Sequence, residues 1–167
     1  GSCITTTLSD DLTSAQVKIL TKINESRNLK VEVATSVFAP DGTVTGTLTS
    51  SQIRHINENQ LECEQIFTID TPMLWSPETP SLYRAESSIL VTPAFTSDGP
   101  QERRSSIPAA RVLADIYSTT FGIRSIEVRP ETGFYLNGKN RKFKGVCLHH
   151  DLGPLGAAVN ESAIRHQ

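Results

Sequence analysis

The side chains best suited to chemistry stand near the C-terminus, where His149, His150 and Asp151 directly follow the apolar run Gly145-Val146-Cys147-Leu148. Two imidazoles and a carboxylate in a row are the residue types of a metal site or a polar binding cluster. A metal would need further ligands converging from elsewhere, and only His55 and His166 remain among the histidines. His55, flanked by Ile53 and Ile56, reads as an ordinary strand-edge residue. The cysteines Cys3, Cys63 and Cys147 are odd in number and widely spaced, which fits neither a disulfide framework nor a C-x-x-C metal site. Cys63 alternates with strand residues and reads as core, while Cys3 sits in a polar terminus. No metal and no cofactor are expected.

The elements that must position these residues are strands. Alternation with period two recurs along the chain, whereas apolar spacing at i, i+3, i+4 is almost absent. Val17, Ile19 and Ile23 alternate with Lys18 and Lys22. Leu29, Val31, Val33 and Val37 alternate with Lys30, Glu32 and Ser36, after a connection at Asn24-Glu25-Ser26. Pro40-Asp41-Gly42 suits a tight turn, and Thr43 to Thr49 reads as the next strand. Leu61, Cys63, Phe67 and Ile69 mark a fourth. Three more are expected over about 82–91, 111–120 and 122–128. About seven strands separated by turn signals predict an all-β, immunoglobulin-like β-sandwich.

Two connections are distinctive. Residues 71–80 hold three prolines, Pro72, Pro77 and Pro80, which have no N–H for a sheet ladder, so this segment should cross between sheets. Trp75 lies within it. An aromatic face can stack on a pyranose ring, but the surrounding prolines favour a core or interdomain plug. Residues 93–108, rich in Ser, Gly and charge, predict a surface loop whose Arg103-Arg104 reads as a solvated tip. After Val128 the texture changes. Gly133 to Phe143 reads as a hairpin turning at Asn137-Gly138, since Asn-Gly supplies the positive φ angles of a type I′ turn. Gly145 to Leu148 reads as a short strand, and Asn160 onward as the start of an amphipathic helix that stops.

Composition narrows the partners. Lys and Arg number 16 against 18 Asp and Glu, a net charge of −2 with no basic stripe for a phosphate backbone, so nucleic acid is not expected. No stretch approaches the roughly 20 apolar residues that span a bilayer, and the N-terminus shows no signal-peptide pattern, so no membrane partner is expected.

Three landmarks in order resemble the family 2 glycoside hydrolases, which include β-galactosidases, β-glucuronidases and β-mannosidases. They are Leu74-Trp75-Ser76-Pro77-Glu78-Thr79-Pro80-Ser81-Leu82-Tyr83, then Phe121-Gly122-Ile123-Arg124, then the run from Gly133 through Asp151 containing Asn137-Gly138 and Gly145. The resemblance implies that the first lies in the sandwich, the second begins its closing strand, and the third leads into the first strand of a TIM barrel. The family commonly shows Gly-Val-Asn-x-His-Glu there, and His149 falls on its histidine, which contacts substrate hydroxyls. Cys147 stands where that pattern has asparagine and His150 where it has glutamate. Barrel chemistry gathers at the carboxyl ends of strands, so the resemblance places His149, His150 and Asp151 toward a sugar pocket.

A retaining glycosidase needs two carboxyl groups about 5–5.5 Å apart, one nucleophile and one acid/base. By resemblance both glutamates fall beyond Gln167. Asn24-Glu25, Asn57-Glu58 and Asn160-Glu161 lack the preceding glycine of the family's acid/base motif. The expectation is therefore an N-terminal lead-in over 1–14, a sandwich over 15–128, and over 129–167 a hairpin and the truncated start of a catalytic barrel. Such a chain would be an inactive module of a retaining β-glycosidase, β-galactosidase first, that takes β-linked glycosides through the missing barrel and touches that barrel intramolecularly. A stand-alone immunoglobulin-like carbohydrate- or protein-binding domain is the alternative. The compartment is left open, with a periplasmic or secreted parent favoured.

Overall fold

Successive side chains of a strand point to opposite faces, so each alternating segment offers one apolar face that must meet another. In the computed structural model, which describes residues 1–24, 29–50, 52–93, 111–145, 147 and 160–165, two four-stranded antiparallel sheets meet in this way. The first has the order β1 (Ser2–Leu8), β2 (Ser14–Asn24), β6 (Gln60–Asp70), β5 (Arg54–Asn57). The second has the order β4 (Val44–Ser50), β3 (Leu29–Phe38), β7 (Tyr83–Pro93), β8 (Val112–Phe121). This is the immunoglobulin-like sandwich that the alternation predicts. A third, smaller sheet of β9 (Ile126–Arg129), β10 (Gly133–Leu136) and β11 (Lys139–Asn140) is appended to it, and Glu161–Ile164 forms one helical turn.

The core fills from both sheets. Ala15, Val17 and Ile19 of β2 and Phe67 and Ile69 of β6 face Val37 of β3 and Tyr83 and Ala85 of β7, with Ile123 closing one end. A second cluster joins Val31 and Val33 to Leu61, Cys63 and Ile89. Burying each large apolar side chain stabilises the fold by about 1.5–3 kcal/mol relative to exposure. The thiol of Cys63 is buried, as its alternation predicts, and burial pushes its pKa up. Two polar contacts lie inside this core. Thr35 and Ser87 share a buried hydroxyl–hydroxyl hydrogen bond of 2.8 Å between neighbouring strands. Gln65, on the inward face of β6, donates through Nε2 to the carbonyls of Val33 and Leu48 at 3.1 Å each, crossing from one sheet to the other.

Turn chemistry follows the sequence. Between β3 and β4 the Asp41 carboxylate accepts from the Thr43 N–H at 2.9 Å and the Thr43 hydroxyl at 2.7 Å, and Gly42 takes φ +87°. Asp11 binds Thr13 in the same manner between β1 and β2, at 3.1 Å to the N–H and 2.8 Å to the hydroxyl.

Three sequence expectations change. The lead-in over 1–14 contains a full strand: β1 pairs with β2 from Ser2↔Thr21 to Leu8↔Ala15, so the polar terminus holding Cys3 is a strand and Cys3 is exposed on it. Its inward positions Ile4, Thr6 and Leu8 are only half-buried, and threonine there masks the apolar alternation. β5 is an additional strand at the edge of the first sheet and carries His55, exposed, as a strand-edge residue should be. The expected closing strand over 122–128 is divided. Ile123 makes an isolated parallel bridge with Leu74, while Ile126–Arg129 leaves the sandwich and pairs with the hairpin.

Candidate functional site

The proline-rich segment does cross between the sheets, running from the end of β6 to the start of β7. Pro77 sits inside a four-residue loop closed by Ser76 N–H to Thr79 O at 2.9 Å and Thr79 N–H to Ser76 O at 3.1 Å, where a missing proline N–H does no harm. Pro77 and Pro80 are both exposed. Beneath the loop, the buried Tyr83 hydroxyl accepts from the Met73 N–H at 2.8 Å, and its ring stacks on Phe121 with centroids 5.7 Å apart. A buried tyrosine of this kind pins the crossing segment to the core by satisfying its phenol on backbone.

Trp75 is the centre of the arrangement. Its N–H donates to the Ile123 carbonyl at 2.8 Å. Gly122 packs against it so closely that a Cβ there would stand 3.0 Å from both Cβ and Cγ of Trp75. The Arg124 guanidinium lies over the indole with its carbon 5.0 Å from the ring centroid, a cation–π arrangement. The half-buried indole is thus flanked by Gly122 and Arg124 of its own chain.

The hairpin reaches the same place. Asn137 and Gly138 adopt φ of 50° and 72°, the positive pair a type I′ turn requires, and the turn connects β10 to β11 as the Asn-Gly dipeptide predicts. From that position Asn137 makes three hydrogen bonds of 3.0 Å. Its N–H donates to the Ser125 carbonyl, its Oδ1 accepts from the Ser125 N–H, and its Nδ2 donates to the Trp75 carbonyl. A second tie joins Arg141 to Glu78 through paired contacts of 2.7 and 3.0 Å, a bidentate fork. The Glu78 carboxyl is held below its ordinary pKa first by its own backbone N–H, against an opposing effect of desolvation, with Arg141 and Ser76 adding to the lowering.

Of the residues singled out in the sequence, the structure gathers Trp75, Gly122, Arg124 and Asn137 into one joint, with Gly138 completing the turn and Tyr83 below. Gly145 is exposed with no neighbouring atom where a Cβ would lie, and it stands apart. Val146, Leu148, His149, His150 and Asp151 lie outside the described residues, as do Arg103 and Arg104; Gly145 and Cys147 carry no strand assignment. Ser125, Glu78 and Arg141 belong to the joint without having been anticipated. Glu78 and Arg141 are 63 positions apart, so no local pattern announces them. Beside the joint, Ile4, Leu82, Phe121, Arg124 and Ile126 border an open hollow of about 610 Å³. Apart from the buried Arg141 Nε, which has no partner, the hydrogen bonds described at the joint run between its own segments, so its capability is to hold three segments in fixed relation.

An all-β sandwich with a small sheet pinned to it is the class that this fold and joint define. Solved structures share it: β-glucuronidase 2 of Bacteroides uniformis matches with a TM-score of 0.71 and 26% identity, over 99% of this chain and 18% of that one. The chain belongs to the glycosyl hydrolases family 2, whose sequence profile matches residues 3–96. It is similar to a β-galactosidase of Bacteroides ovatus, 34% identical over 99% of this chain and 18% of that protein. It is also similar to a β-glucuronidase of Streptococcus agalactiae, 31% identical over 96% of this chain and 21% of that protein. The chain therefore spans about a fifth of the length of these relatives.

Proposed function

We propose that this chain is the non-catalytic sandwich module of a retaining β-glycosidase that hydrolyses β-galactosides, with the two catalytic carboxylates supplied by a barrel elsewhere in a longer polypeptide. The observation that carries this reading is the lopsided match to the Bacteroides ovatus β-galactosidase, which takes in 99% of this chain but 18% of that protein. The joint supports it: a sandwich that must orient a following domain needs its exit segment held rigidly, and Asn137, Arg141 and Trp75 provide that hold. In the longer protein His149 is the residue of this chain directed to substrate hydroxyls.

The test is hydrolysis of an aryl β-galactoside by the 167-residue chain and by the longer polypeptide at equal molarity. Turnover by the longer polypeptide alone, reduced by His149→Ala, is the expected result. Turnover by the short chain would overturn the module reading. Hydrolysis of an aryl β-glucuronide or β-mannoside in place of the galactoside would overturn the substrate assignment and keep the module. Tight binding of a free β-glycan by the short chain would mark an independent binding domain instead.

A further inference from the structure

The edge strand β8 carries a carboxylate on the core-facing side of the second sheet. Residues opposite one another in paired strands share a face, and the pairs Ile89↔Asp115 and Ser87↔Tyr117 set Asp115 and Tyr117 beside two buried residues. A bulge brings this about. Leu90 pairs with Leu113 but Ile89 pairs with Asp115, which leaves Ala114 as the extra residue. Were the register of Val112 and Leu113 continued, Asp115 would oppose Ser88 on the outer face. Bulges of this kind re-aim side chains, often toward a site. Asp115 closes its own bulge, Oδ1 accepting from the Ile116 N–H at 2.8 Å.

Residues of both sheets line a cleft of about 520 Å³ at this edge. Ile23 of β2, Val31 of β3, and Ile89 and Val91 of β7 give it apolar walls, and Asp115 and Tyr117 stand on β8. The cationic groups at its rim are already engaged: the Gly1 amino group donates to the Lys22 carbonyl at 3.0 Å, and the Lys22 ammonium pairs with Glu62 at 3.6 Å. Asp115 takes part in none of the ion pairs among the described residues.

We propose that this cleft binds a small amphipathic amine, its apolar chain between the walls and its ammonium between the Asp115 carboxylate and the Tyr117 ring, which is 47% exposed. An unpaired carboxylate and an aromatic face are both groups that attract a cation. Ligand pockets of this size join mostly apolar walls to a few placed polar groups. An inward charge on an edge strand also discourages edge-to-edge pairing, but that purpose requires neither the cleft nor Tyr117. The cleft is lined by other residues than the joint, and its ligand does not depend on the module reading.

An NMR titration of the isotope-labelled 167-residue chain with hexylammonium, hexanol and hexanoate tests this at neutral pH. Saturable shifts centred on Ile89, Val91 and Tyr117 are expected, with hexylammonium binding about tenfold more tightly than hexanol, and hexanoate more weakly than either. Methylammonium, which lacks the chain, should not saturate. Asp115→Asn should bring hexylammonium level with hexanol, and because Asp115 is exposed the variant should melt as the wild type does. Equal affinity for hexylammonium and hexanol in the wild type would reduce the cleft to an apolar hollow and overturn the proposal, whatever the variant does. Tightest binding of hexanoate would assign the cleft to anions and overturn it equally. If none of the three saturates, Asp115 serves only to blunt the edge and the proposal fails.

Discussion

Asn137 and Trp75, 62 positions apart in the chain, are joined by a single 3.0 Å hydrogen bond from side-chain amide to backbone carbonyl. That one bond ties the hairpin to the segment that carries the chain from one sandwich sheet to the other. Asn137 can make it only because its backbone sits at φ 50°, a conformation asparagine tolerates better than most residues.

Changing Asn137 therefore acts on geometry and hydrogen bonding separately. Asn137→Gly keeps the turn and loses the two side-chain bonds, costing about 1–2 kcal/mol. Asn137→Ala loses the same bonds and adds about 1–2 kcal/mol for an alanine held in the left-handed region. Urea unfolding followed by fluorescence should rank wild type above Gly above Ala. If Gly and Ala were equal, the positive φ would not be maintained in solution.

Gly122 gives a second test, because its Cβ position is taken by Trp75. Gly122→Ala should destabilise by about 1–3 kcal/mol through overpacking. In a Trp75→Ala background the Cγ and Cδ1 contacts are gone while the Cβ contact stays, so the same substitution should cost less, and a double-mutant cycle should show coupling between the two sites. Additive effects would mean that the contact is not what excludes the methyl group.

The buried hydroxyl pair inside the second sheet makes an asymmetric prediction. Thr35→Val leaves the Ser87 hydroxyl buried without its 2.8 Å partner and should cost about 1–3 kcal/mol. Adding Ser87→Ala should recover much of that loss, since removing both partners is less costly than orphaning one. Thermal denaturation of the single and double variants distinguishes the two cases.

Acid should loosen the turns before it reaches the core. Asp41 is held below its ordinary value of 3.8 first by the Thr43 N–H and then by the Thr43 hydroxyl, and Asp11 is held below it first by the Ser9 hydroxyl and then by Thr13. A carboxyl whose folded pKa is depressed binds protons less readily than in the unfolded chain. Its contribution is complete above the unfolded pKa and is lost as pH falls through the lower, folded one. An NMR titration should place the Asp41 midpoint below 3.8, and Thr43→Val should move it upward. An unchanged midpoint in the variant would show that the hydroxyl does not bond the carboxylate.

Much of the sandwich was legible because β2, β3, β6 and β7 are buried on one face and solvated on the other, so each writes its period into the sequence. β1 was not, since Thr5, Thr6 and Thr7 blur the alternation of an edge strand that is only half-buried. Gln65 reads as a break in the apolar series of β6, yet it faces inward because two carbonyls of the opposite sheet need its amide. At the joint, Trp75, Gly122 and Asn137 were recognisable one by one. Their mutual contact was not, because it depends on pairings across tens of residues that only the assembled sheets bring about. The division of the expected seventh strand has the same origin: Ile126 and Val128 alternate as any strand does, and alternation does not say which sheet a strand will join.

The order of the strands along the chain also bears on how the molecule is made. Both sandwich sheets are complete by Phe121, and their core by Ile123, whereas Ser125, Asn137 and Arg141 come later. A nascent polypeptide leaving the ribosome therefore carries every residue of the sandwich before the residues that moor the hairpin have been translated, and domains commonly fold in that order. The hairpin arrives at a finished surface already holding the Trp75 carbonyl in place. Vectorial synthesis and the mooring bonds thus run in the same direction, each later element being guided by one already folded.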